Sequence, residues 1–173
     1  MRVARPDDAP EVAAIYRPSV TDSPASFELQ PPTEAEMRAR IERTLLTYPW
    51  LVFERRGEVL GYAYGSRHAE RAAFRWSADV SVYVRVDVKR TGIGWALYGE
   101  LLPLLRELGY CQAFAGITLP NDASVGLHQA LGFTPVGVFR NVGYKLGAWR
   151  DVGWWQLELS AAPPAGDPLP FRP

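Results

Sequence analysis

Apolar positions along this chain change rhythm several times, and each change marks an element. From Ala9 to Tyr16 they recur at helical spacing behind Pro6, Asp7 and Asp8, whose acidic side chains suit a helix N-terminus. Pro18 is expected to end that helix. Thr21 to Pro32, rich in Ser, Pro and Asp, reads as a loop with Phe27 as an isolated aromatic. Thr33 and Glu36 form a capping-box pattern that predicts a helix from Glu34 to about Thr47, broken by Pro49. The rhythm then shortens. Trp50–Glu54 and Val59–Tyr64 read as strands joined by a turn at Arg56–Gly57, and Met1–Arg5 as a further short strand. Gly65–Arg75 is a polar loop and Ala78–Val84 a strand. Gly94–Leu108 is a helix in which Pro103 predicts a kink. Gln112–Thr118 is a strand. A helix over Ala123–Leu131 follows, opened by Pro120–Asn121–Asp122 and stopped by Gly132, with Leu127, Ala130 and Leu131 as its buried side. Val136–Phe139 and Gly153–Leu159 close the pattern as strands. This order predicts an α/β fold, a mixed sheet with helices on both faces. One domain over residues 1–160 is followed by a proline-rich tail, 161–173, expected to be disordered or laid on the surface.

Composition narrows the function classes. The chain has 173 residues, 47% of them hydrophobic, which suffices for one well-buried core. Nineteen basic residues balance nineteen acidic ones, so no basic face for nucleic acid is expected. The single cysteine, Cys111, excludes an internal disulfide and a Cys-based zinc site, and no metal is expected. No apolar run is long enough to span a membrane and the first residues lack a signal core, so a cytoplasmic protein is expected.

Two segments carry chemistry. The first is the basic, glycine-containing turn Lys89–Arg90–Thr91–Gly92–Ile93–Gly94, which runs from a β-branched strand into a helix starting at Gly94. It offers backbone N–H groups, two cations and a hydroxyl at a helix N-terminus, the chemistry of a diphosphate cradle. It matches neither a Walker A loop nor the dinucleotide GxGxxG fingerprint. A plain β–α connection with solvated cations is the simpler alternative. The second segment is Leu119 to Phe133. Asn121 stands between a strand and a helix, either facing a ligand's amides or capping the helix. Ser124 and His128, four residues apart, share a helix face.

Together these segments resemble the GNAT superfamily of acetyl-CoA-dependent N-acetyltransferases. Its [QR]xxGx[GA] signature falls on Lys89, Gly92 and Gly94, and its later pattern on Asn121, Ser124, Leu127, His128, Gly132 and Phe133. Lys89 replaces the usual Gln or Arg, and His128 the usual Tyr. PWLVFERRGEVLGYAYG, WSADVSVYV and DVGWWQ are similar to the phosphinothricin and methionine sulfoximine acetyltransferases, and the likeness runs from about Val3 to Ser160.

The resemblance implies a mostly antiparallel sheet of six to seven strands, V-shaped where the strand ending at Val84 splays from its neighbour. It implies direct acetyl transfer from acetyl-CoA to the amine of a small amino acid or analogue, resistance where that acceptor is toxic, and a homodimer. Backbone groups of Val82, Tyr83 and Val84 would take pantetheine and supply an oxyanion donor. Lys89, Arg90, Thr91, Gly92, Ile93, Gly94 and Trp95 would take the pyrophosphate, with Asn121 and Ser124 along the pantetheine arm. Asp79, where the subfamily usually has Glu, is the proposed base or base-relay. His128 would relay a proton or protonate the leaving thiolate, with Tyr83 and Tyr98 as lesser candidates. Arg71 would hold an acceptor carboxylate, with Arg75 or His68 as alternates, in a pocket walled by Phe27, Tyr64, Phe74, Ser81, Thr118 and Val152. Two rivals are a GNAT enzyme for another small amine, such as a polyamine, and a catalytically weak CoA-binding sensor.

Overall fold

The computed structural model describes residues 1–162 and 164–172. Seven strands form one sheet in the order β1-β2-β3-β4-β5-β7-β6: β1 Arg2–Val3, β2 Trp50–Arg55, β3 Glu58–Arg67, β4 Ser77–Val84, β5 Gln112–Leu119, β6 Thr134–Lys145 and β7 Ala148–Glu158. Every neighbouring pair is antiparallel except β4 and β5. The helices are α1 Ala9–Thr21, α2 Glu34–Leu45, α3 Ile93–Glu107 and α4 Asp122–Ala130.

Strand alternation sorts side chains onto two faces. Ala63, Val80, Ala113 and Ala115 pack with Leu97, Leu101 and Leu105 of α3. Val52, Val59 and Tyr62 pack with Val12 and Ile15 of α1 and Met37 and Ile41 of α2. Local chemistry sets the element ends. Thr33 Oγ1 accepts from the Glu36 N–H at 3.2 Å while Glu36 accepts from the Thr33 N–H at 2.7 Å, completing the predicted capping box. Arg56 and Gly57 both have positive φ, 54° and 83°, as the tight turn between β2 and β3 demands.

Some boundaries differ from expectation. Pro18 lies inside α1, which continues to Thr21. The missing proline N–H costs one bond, but Pro18 still accepts from the Asp22 N–H and the extra turn buries Val20. Strand β3 runs three residues past Tyr64, shortening the polar loop. The closing strands are a long hairpin turning at Leu146–Gly147, both at positive φ. On α4 the buried residue is His128, and Ala130 faces solvent.

Apart from Pro163 and Pro173, which lie outside the described residues, the tail is laid on the surface. Leu169 N–H bonds Leu108 O, Phe171 N–H bonds Thr47 O, and the Phe171 ring is buried. The Trp76 indole donates to Gly166 O and Arg75 pairs with Asp167 at 2.7 Å. Burying one Phe stabilises by about 1.5–3 kcal/mol. Truncation after Ser160 is therefore expected to lower the melting temperature by roughly 3–10 °C, read by differential scanning calorimetry. An unchanged melting temperature would show the tail to be energetically idle.

Candidate active site

The sheet opens at its one parallel seam. β4 pairs with β5 only at Ser77–Gln112, Ala78–Ala113 and Asp79–Phe114, yet β4 continues to Val84 and β5 to Leu119. The strands therefore part within β4, just past Asp79, rather than beyond Val84. On its other side β4 is fully paired with β3. Arg85 N–H bonds Leu60 O, in register with Tyr83 opposite Tyr62. Antiparallel alternation then commits the amides of Ser81 and Tyr83 to β3 and turns those of Val80, Val82 and Val84 toward the gap. Val82 and Val84 fit the pantetheine role; the Tyr83 backbone does not.

The gap widens into a cleft of about 720 Å³. Lys89, Arg90, Gly92, Ile93, Gly94 and Trp95 line one end, and Asn121, Ser124 and His128 one side. Arg90 and Gly92 have φ of 64° and 85°, folding the turn so that its amides converge above the start of α3. A Cβ on Gly94 would come within 3.1 Å of Leu127, so glycine keeps helix and cleft wall close. Thr91 does not line the cleft. Its hydroxyl donates to Val88 O at 2.7 Å and braces the turn. Asn121 does both things open to it: Oδ1 accepts from the Ser124 N–H at 3.2 Å as a helix cap, and the residue lines the cleft. Ser19 and Ala25, from α1 and the loop after it, also line the cleft. Both are small and belong to no motif, so neither stood out in the sequence.

His128 is buried, with 3% exposure. Its Nδ1 lies 2.7 Å from the Ser124 carbonyl, which can only accept, so Nδ1 carries the proton. Nε2 lies 3.2 Å from the Tyr98 hydroxyl and accepts from it. Burial holds this imidazole below its usual range, the Ser124 bond partly opposing. His128 at rest is thus neutral and can take a proton but not give one.

On the opposite face, Asp79 marks the fork. Burial pushes its carboxyl above the usual range, while a 2.6 Å bond from Asp79 Oδ1 to His68 Nδ1 pulls it back. His68 stacks on Phe114 with ring centroids 4.1 Å apart and meets Phe74 and Trp154 edge-on. Ser81 and the buried Thr118 line the cleft, and Val152 pairs with Thr118 across β5 and β7. Tyr64 stacks on Trp50 at 4.3 Å, registers opposite Ser81, and lines a separate cavity of about 350 Å³ with Tyr16 and Arg40.

Two further predicted site residues, Arg75 and Phe27, are placed otherwise. Arg75 is spent on Asp167 and the Ala72 carbonyl, over the Trp76 ring. Phe27 lies against Gly143 of β6, so closely that a Cβ there would collide with the ring. Its loop is pinned by Lys145, which donates to Ser26 O and Glu28 O. Tyr83 lines the cleft, but its side chain packs edge-on to Tyr16 and stacks on Tyr62, and burial raises its phenol well above the usual tyrosine range, against a part in proton transfer. Arg71 is exposed. Arg67 is bound to Glu70 and Arg75 to Asp167, which leaves Arg71 as the arginine of the β3–β4 connection without a carboxylate partner among the described residues.

A sheet forked beside a glycine-bearing helix start defines a class, and the comparisons agree: the chain belongs to the Acetyltransferase (GNAT) domain family, matched over residues 1–154. It is 40% identical over 172 residues to the phosphinothricin N-acetyltransferase of Streptomyces viridochromogenes, covering 98% of this chain and 92% of that protein. It is 37% identical over 154 residues to the L-methionine sulfoximine/L-methionine sulfone acetyltransferase of Pseudomonas aeruginosa, covering 88% and 90%. Its fold superposes with a TM-score of 0.90 on a phosphinothricin acetyltransferase from Sinorhizobium meliloti in complex with AcCoA, at 37% identity, covering 95% of this chain and 91% of that one.

Proposed function

We propose that the protein transfers acetyl from acetyl-CoA to the amino group of a small acidic amino acid or analogue of the phosphinothricin or methionine sulfoximine type. The observation that carries this is the fork. It leaves the Val82 and Val84 backbone free at a gap whose wide end is a cationic helix start and whose narrow end is a carboxylate. Acetyl-CoA fits that shape, with its diphosphate at Arg90–Trp95, its pantetheine amides along β4 and Asn121, and its thioester near the strands' parting. The acceptor would enter from the α1–α2 face, where Asp79, Ser81 and Thr118 meet. Its acidic group would pair with Arg71, a bidentate match for carboxylate or phosphinate.

A thiol-release assay with acetyl-CoA and an amine panel tests the reading. Turnover is expected with phosphinothricin or methionine sulfoximine and not with polyamines, whose charge Arg71 repels. Tight CoA binding with no thiol release across the panel would favour a sensor. Arg71→Ala is expected to raise KM for the acidic acceptor by roughly tenfold while sparing KM for acetyl-CoA, the size of one lost charge-assisted bond at an exposed site.

A homodimer accords with the long β6–β7 hairpin. β6 is an edge strand, and Val136, Phe139, Val142, Tyr144 and Trp149 are each more than half exposed. Such an apolar edge is ordinarily covered. Sedimentation velocity would decide it, with a monomer at micromolar concentration refuting the dimer.

A further inference from the structure

We propose that His68 and Asp79 form one proton-accepting unit in which His68 Nε2 is the atom that takes the acceptor's proton. This rests on the acetyl-transfer reading above and replaces a lone carboxylate by a pair. The 2.6 Å bond joins His68 Nδ1 to Asp79 Oδ1. An ionised carboxylate only accepts, so the shared proton sits on Nδ1 and the basic lone pair is on Nε2. Nε2 has no hydrogen-bond partner among the described residues. The ring cannot swing freely, being stacked on Phe114 of β5 and flanked edge-on by Phe74 and by Trp154 of β7. Asp79 is itself fixed at the last paired rung before the fork. A carboxylate that fixes an imidazole tautomer and stabilises the imidazolium is a recurrent way to make a base.

The charged and titratable neighbours leave this assignment intact. On the β3–β4 connection Arg67 and Glu70 neutralise each other and Arg71 is free for an acidic acceptor. Tyr64 of β3 is a neutral phenol raised by burial. Phe114 and Trp154 bring no charge.

One N–H bond of the acceptor ammonium breaks, its electron pair stays on nitrogen, and the proton bonds to His68 Nε2. The freed pair forms a bond to the thioester carbonyl carbon, and as the tetrahedral adduct collapses the carbon–sulfur bond breaks with its electron pair on sulfur. A second proton leaves the nitrogen as the amide forms and ends on the departing sulfur as thiol. The imidazolium, paired with Asp79 and one-fifth exposed, then releases its proton to water.

Three variants and one spectrum test this. His68→Gln and Asp79→Asn are each expected to lower kcat/KM at neutral pH by about 10²-fold or more. The double variant should be no worse than either single, as for groups that act as a unit. The acid limb of the pH profile should vanish in His68→Gln, while CoA affinity stays within about twofold. The chain has only two histidines, so ¹⁵N spectra of the wild type against His68→Gln assign the ring. The Nδ1–H form is expected in the wild type. A protonated Nε2 there would overturn the proposal whatever the turnover. A His68→Gln enzyme with wild-type rate and pH profile would overturn it and leave acetyl transfer standing. Absence of thiol release by the wild-type chain would sink both.

Discussion

Replacing Lys89 and Arg90 together by alanine is expected to raise KM for acetyl-CoA about 10–100-fold and to leave kcat within roughly threefold. Both cations line the wide end of the cleft, far from the fork where acetyl would move. Hydrogen bonds to charged groups are worth about 1.5–3 kcal/mol each, less where water competes as it does at these exposed positions. The interaction is uniform, present before and during transfer, so it belongs in KM. Salt should weaken wild-type affinity and hardly affect the double variant, because screening acts on the charges removed. Backbone amides of the turn remain in the variant, held by the Gly92 conformation and by Thr91 bonded to Val88. A KM that stays put would move the diphosphate elsewhere.

The second large effect concerns the other wall. His128→Ala is expected to slow turnover by about 10²-fold with CoA affinity little changed, the usual range for a proton-transfer partner. Its neutral imidazole holds the Tyr98 hydroxyl at Nε2, so removal also frees that phenol. If this ring protonates the thiolate, a proton must first arrive on it, because at rest Nδ1–H is held by the Ser124 carbonyl and Nε2 carries none. Stability offers an independent readout. Burial lowers the folded-state pKa of His128 below the unfolded value of about 6.5. Between those two values the unfolded chain binds the extra proton, so this site's contribution to stability falls as pH drops below about 6.5 and recovers as pH rises. In His128→Gln that part of the acid slope should disappear from denaturant midpoints measured across pH 4–7. An identical slope would mean that the ring binds protons alike in the folded and unfolded chain.

Local signals in the sequence named much of this. Thr33–Glu36 and Arg56–Gly57 are short-range devices whose chemistry acts on adjacent backbone, and both form as expected. The glycine turn and Asn121 are likewise local, and they fall on the cleft. What failed was long-range. Pro18 sits inside a helix because burial of Val20 outweighs one lost bond. Residues 140–152 went unassigned because both strands of that hairpin expose apolar side chains, so no alternation showed. Arg75 looked like a ligand for an acceptor until Asp167, ninety-two residues away, claimed it. His68 was one cation among four in a polar loop. Only the register of β3 against β4 brings it to Asp79.

The route of the tail has a practical side. Arg75 and Trp76, anchored to Asp167 and Gly166, directly precede β4 and share a connection with His68, Arg71 and Phe74. Under the proposed acceptor site, a change at Asp167 or Gly166 would reach that connection from ninety residues away and shift the acceptor KM without touching the fork. A purification tag placed beside these contacts would be an unintended substitution in the same loop.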